Sequence, residues 1–207
     1  MSISPGASVR LSFTRLIAAV AAAAVLVFTG GCASHYVDAA TRDRTSEFQR
    51  PASPAPVQLV FQFETKGAPN SRATDHLKPR VSEQVKGSGL FSSVQDTAVP
   101  GGALLSVTIN NVPMSDDAFS KGFVTGLTFG LAGSQVSDGY VCTVKYMPGS
   151  GEPVVKTARH VIHTTVGASA SPGNAVKAKD IEEAVTLMTK QLLSTALNDL
   201  SHDPAFR

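Results

Sequence analysis

Two cysteines, Cys32 and Cys142, are the whole thiol inventory of 207 residues, and they form no C-x-x-C pair. If Cys32 is committed elsewhere, no intramolecular disulfide can form and the core alone must hold the fold. Net charge is also missing. No Asp or Glu precedes Cys32, while Arg10 and Arg15 do. The chain from Cys32 onward therefore keeps 16 basic side chains, the 18 of the whole less those two arginines, against 16 acidic ones. That balance argues against nucleic acid, or a membrane held by charge, as a partner.

Catalytic signatures are absent as well. The sequence contains no G-x-S-x-G elbow, no H-E-x-x-H and no P-loop. His160 and His163 lie three apart in an extended stretch, so they point to opposite faces and cannot share one metal ion. They read as exposed strand histidines. Asp116 and Asp117 follow a strand and Pro113, a place for capping or turn duty. Cys142 is flanked by apolar residues and reads as a small buried hydrophobe. His35, His76 and His202 sit among polar residues and single out nothing. The expectation is a protein that is not an enzyme and carries no cofactor.

What is present begins at the N-terminus. Arg10 and Arg15 precede an uncharged apolar run, Leu16 to Phe28, which ends in Thr29, Gly30, Gly31 and Cys32. A basic start, a short apolar core and a small-residue exit describe a secretory signal peptide, residues 1–31. From Leu16 to Gly31 a helix would cover about 24 Å, short of a ~30 Å hydrocarbon layer. Removing residues 1–31 leaves 176, enough for one domain with its own core.

The small residues leading into Cys32 resemble the lipobox of bacterial lipoproteins, although Thr29 stands where that family usually has Leu. The resemblance implies cleavage before Cys32, diacylation of its thiol and acylation of the new amino group. In a Gram-negative cell, Ala33 rather than Asp after the Cys implies the outer membrane, facing the periplasm. Several acyl chains together anchor a protein stably.

Residues 32–56 are polar and end in Pro-Ala-Ser-Pro-Ala-Pro, Pro51 to Pro56, and so read as a spacer between anchor and domain. The expected domain spans 57–207. Val57, Leu59, Phe61 and Phe63 alternate with partners as in a half-buried strand. A helix is expected from about Ala73 to Lys86, kinked or late in starting because of Pro79, and closed by Gly87-Ser88-Gly89. Strands are expected at Leu90 to Gln95, Ala103 to Val112 and Tyr140 to Met147. A turn at Pro148 to Gly151 leads to another at Val154 to Val166, whose broken alternation around Arg159 to His163 suggests a bulge or an edge. Asn174 to Leu200 carries the longest amphipathic pattern, with Asp180, Glu182 and Glu183 near its start.

The order β-α-β-β-insert-β-β-α predicts an α+β fold. It would be a two-layer α/β sandwich with a mostly antiparallel sheet of about five strands and two amphipathic helices on one face. The helix followed by Val85 to Asp96 and then the Ala103 to Val112 strand resembles periplasmic accessory lipoproteins. These include the auxiliary lipoproteins of ABC-type lipid transport, the curli-secretion lipoprotein and the N-terminal domain of the Tol-system β-propeller protein. That resemblance implies an accessory role in the envelope and brings no catalytic motif.

The insert, 115–137, is the remaining lead. Gly122, Gly126 and Gly130 fall four apart among Phe123, Leu127, Phe129 and Leu131, and Gly122 to Ser137 is uncharged. As a helix it would cover about 24 Å, too short to span, and spanning would split one sheet across a membrane. Three glycines would cost a helix about 3 kcal/mol, which burial of the large side chains must offset. The segment is packed on its own domain, touches lipid, or meets an envelope protein partner or another copy.

Overall fold

The computed structural model describes residues 33–114, 135–166 and 171–206. Cys32, the segment from Gly122 to Leu131 and the Asp116–Asp117 pair lie outside the described residues. The fold is α+β: among the described residues, a mixed sheet of eight strands backed by two helices.

In chain order the strands are β1 (Ala33–Asp38), β2 (Val57–Thr65), β3 (Ala68–Pro69), β4 (Val94–Gln95), β5 (Leu104–Pro113), β6 (Gln135–Met147), β7 (Val154–Val166) and β8 (Ala175–Ala178). Helix α1 (Ser71–Gly87) lies between β3 and β4, and α2 (Ile181–Ser201) comes after β8. Across the sheet the order is β3-β2-β5-β6-β7-β1-β8, with β4 parallel to the start of β2. β2 and β5 are parallel, because α1 carries the chain across to re-enter the sheet in the same direction. β5, β6 and β7 form an antiparallel meander.

The expected count of about five, mostly antiparallel strands is therefore too low. Alternation sets the faces. Val57, Leu59, Phe61 and Phe63 join Leu105, Val107 and Ile109 in one core with Leu77, Val81 and Val85 of α1 and Met188, Leu192 and Leu193 of α2. Both helices thus cover the same face. On the other face a smaller cluster gathers Val112 and Val161, with Met114 and Val141 against it.

Three local expectations change. Helix α1 starts at Ser71, where the Asn70 side chain accepts the Ala73 N–H at 3.0 Å, and it runs unbroken through Pro79. The start is early, not late, because the Asn70 cap together with burial of Leu77, Val81 and Val85 offsets the proline. The stretch from Leu90 is strand only at Val94–Gln95, with Leu90 and Phe91 buried in a loop. The last helix begins at Ile181, not Asn174. Asp180 caps it by accepting the Glu183 N–H at 2.8 Å, and Ala175–Ala178 before it is an edge strand paired with β1.

The largest change concerns residues 32–56, expected to form a spacer. Residues 33–38 are β1, paired on one side with β7 and on the other with β8. Beyond β1 the chain is tied along α2. The Arg44 N–H donates to Ser194 Oγ at 3.0 Å and the Gln49 N–H to Ser201 Oγ at 3.1 Å, while Lys190 and Asp43 pair at 2.9 Å. Phe48 is buried. β7 is consequently an inner strand whose register with β6 runs without a bulge from Gln135↔Thr165 to Tyr146↔Val154. Its broken alternation reflects burial on both faces rather than an edge.

The β6–β7 turn packs closely on the loop before β5. A Cβ added at Gly149 would stand 1.4 Å from the Gly101 carbonyl oxygen. Gly149→Ala should therefore lower the denaturant midpoint by the equivalent of about 1–3 kcal/mol of overpacking, at unchanged denaturant slope.

Candidate functional site

Several described chain ends meet at one end of the sheet. Ala33, the first residue of β1, pairs with Val166, the last of β7, and Gln135, the first of β6, pairs with Thr165. β5 leaves at the same end, where Pro113 pairs with Asp138. Ala178 pairs with His35, so α2 starts just beyond this end as well. Ala33, the residue that follows Cys32, and the described flanks of the Gly122–Leu131 segment therefore lie together. Sequence separations of about 80 residues or more hide that convergence.

The apolar side chains here are unusually open. Val136 is 59% exposed, Val166 41% and Ile181 48%. Around them the described charges are mixed in sign: Lys179, Asp180, Glu182 and Glu183 at the start of α2, with Arg80 of α1 bonded to Glu182 at 2.9 Å. At this end apolar side chains sit beside charges of both signs.

Just inside this end lies a polar cluster on the face away from the helices. His163 Nδ1 and Ser137 Oγ are 2.7 Å apart, and His163 Nε2 stands 3.7 Å from Asp38 Oδ2. Asp38 Oδ1 accepts the Ala40 N–H at 2.7 Å. Ser, His and Asp are the residue types of a nucleophilic triad, which needs both ring nitrogens engaged. Here Nε2 makes no hydrogen bond, and 3.7 Å is too long to be one. The cluster serves as a buried polar patch bridging β1, β6 and β7. Nothing local marks these three residues, which only strand register brings side by side.

The expectation of exposed strand histidines is wrong. His160 is fully buried and His163 2% exposed. They do face opposite sides. His160 points at α2, where its Nε2 lies 2.7 Å from Gln191 Oε1, and its Nδ1 accepts the Val161 N–H at 2.8 Å. That arrangement fixes the neutral Nε2–H tautomer. Burial lowers its pKa below the ordinary 6.5, opposed by the Gln191 bond and the Asp38 charge. Cys142 is buried as expected, and burial alone pushes its thiol up to about 12, so it stays protonated and unreactive.

At the far end a groove of about 420 Å³ is lined by Pro51, Ala55, Phe91, Tyr146, Pro148 and Phe206. Its aromatic rings pack edge-on, Tyr146 to Phe206 at 5.1 Å and Phe91 to Phe206 at 5.7 Å. No histidine or cysteine lines it. Among the described residues no cluster of three His, Cys, Asp or Glu could hold a metal ion, and no helix is long and apolar enough to cross a membrane. The fold and its open end define a small α+β domain with an apolar sheet end. In comparisons with known proteins, the chain matches neither a family model nor a curated relative.

Proposed function

We propose that the protein is a lipid-anchored, non-catalytic binding or assembly module of the bacterial envelope, acylated at Cys32 and held on the periplasmic side of the outer membrane. The observation that carries this reading is the lipobox-like run ending at Cys32, immediately before a residue that enters the sheet. Cleavage before Cys32 would leave β1 and the rest of the domain whole.

The test is the mass of the N-terminal peptide of the full chain expressed in a Gram-negative host. The expected peptide begins at Cys32 and carries its acyl chains, while Cys32→Ser leaves residues 1–31 attached. An unmodified Cys32, or an N-terminus elsewhere, would overturn the reading.

A second reading is a lipid-handling accessory in which Gly122, Phe123, Gly126, Leu127, Phe129, Gly130 and Leu131 contact lipid. It is favoured by the placement of Met114 and Gln135, the described residues flanking that segment, at the Ala33 end of the sheet. Lipid retained by the purified chain, and lost on changing Phe123, Leu127 and Phe129 to Ser, would distinguish it from assembly alone.

A further inference from the structure

We propose that the domain has no spacer and seats the Ala33–Val166 end of its sheet directly on the bilayer, with Val136, Val166 and Ile181 meeting the lipid interface. This rests on acylation of Cys32. Consecutive Cα atoms lie ~3.8 Å apart, so an acylated Cys32 holds Ala33 at headgroup level. Ala33 is already paired with Val166, and β1 is held on both sides, so no slack can be drawn from residues 33–38. Beyond them the chain is bonded to α2 through Arg44, Gln49 and Asp43. A flexible tether would let the domain tumble above the membrane. This junction fixes which end faces it.

The surface chemistry agrees. Six large hydrophobic side chains are exposed among the described residues, and Val136, Val166 and Ile181 are at this end. The sheet face away from the helices is polar over most of its length, with Gln58, Gln62, Ser106, Thr108, Thr143 and Lys145. The outer side of the helices carries Lys78, Arg80 and Lys190, each in a surface ion pair. The other three exposed hydrophobic side chains are scattered: Val60 and Val155 stand three strands apart on the sheet face away from the helices, and Val176 is on the edge strand β8. With basic and acidic residues balanced beyond Cys32, apolar insertion rather than attraction to anionic headgroups supplies the contact.

The geometry gives a direct test. Val136 pairs with Thr164 and Val155 with Lys145, so the two valines differ by nine positions along the strands, about 30 Å. A fluorophore on Val136→Cys in the full acylated chain, reconstituted into phosphatidylethanolamine–phosphatidylglycerol vesicles, should be quenched by spin-labelled lipid. One on Val155→Cys should not. The buried Cys142 thiol leaves the introduced cysteine as the labelling site. Val166→Cys substitutes if Val136→Cys disturbs the fold. Equal quenching at both ends, or none at Val136, with Cys32 shown to be acylated, overturns the seating and leaves the anchor intact. An unacylated Cys32 in the same preparation overturns the reading on which the seating rests.

Discussion

A chain begun at Val57 will not fold, whereas one begun at Ala33 will. Proline-rich residues at 51–56 make Val57 look like the natural start of the domain, and the sheet contradicts that appearance. β1 lies between β7 and β8, so its loss strips one edge of β7 of a partner and leaves β8 with none in the described sheet. Val37, 1% exposed, and the buried Tyr36 and Phe48 go with it. Each is worth about 1.5–3 kcal/mol of burial. The backbone donors of Arg44 and Gln49 leave Ser194 and Ser201, both buried hydroxyls on α2. Against a typical total of about 5–15 kcal/mol, that loss exhausts the stability of a domain this size. Dispersed amide resonances and a cooperative melt in the chain from Ala33, with neither in the chain from Val57, are the expected result. A cooperative melt at the same temperature in both would show that β1 is dispensable.

The same region explains what is legible in the sequence. β2, β5 and the β6–β7 hairpin announce themselves because their alternation is strong and Pro148 to Gly151 marks the turn. α2 is legible from its apolar stripe. β1 is not, since Ala-Ser-His-Tyr-Val-Asp has neither clean alternation nor length, and its strand state depends on partners some 130 residues away. β8 merges into the helix pattern because Ala and Lys are good helix formers. Asp180 followed by Glu183 is the available signal that the helix starts later. Around His160 to His163 the polar residue types suggest exposure, whereas β1 and α2 bury them. Of the candidate site, the apolar segment is visible in sequence. That its described flanks meet Ala33 at one end of the sheet is not, because that comes from register alone.

His160→Ala should be the most damaging single substitution outside the aliphatic core. The ring fills space between β7 and α2, accepts the Val161 N–H and donates to Gln191. Truncation leaves a cavity and two groups without their partner, about 2–5 kcal/mol together. The effect should also be pH-dependent, which separates it from loss of volume. Protonating Nδ1 would remove the acceptor that Val161 uses, and burial disfavours the charged ring, so the folded-state pKa lies below 6.5. The unfolded chain then binds a proton that the folded one refuses. Stability is complete above about pH 6.5 and falls as pH drops below it. The nearby Asp38 carboxylate reduces the slope and the neighbouring His163 adds to it. Urea titrations at pH 7.5 and 5.5 should show the parent losing stability over that interval and His160→Ala losing less. A second loss is expected further down. Burial tends to raise the pKa of Asp43, but hydrogen bonds from Thr45 and Lys190 prevail and bring it to about 2. The stability it contributes is present above its ordinary 3.8 and disappears toward pH 2, releasing the segment that ties β1 to α2. If the parent and His160→Ala lose stability in parallel from pH 7.5 to 5.5, His160 is not the group that refuses the proton.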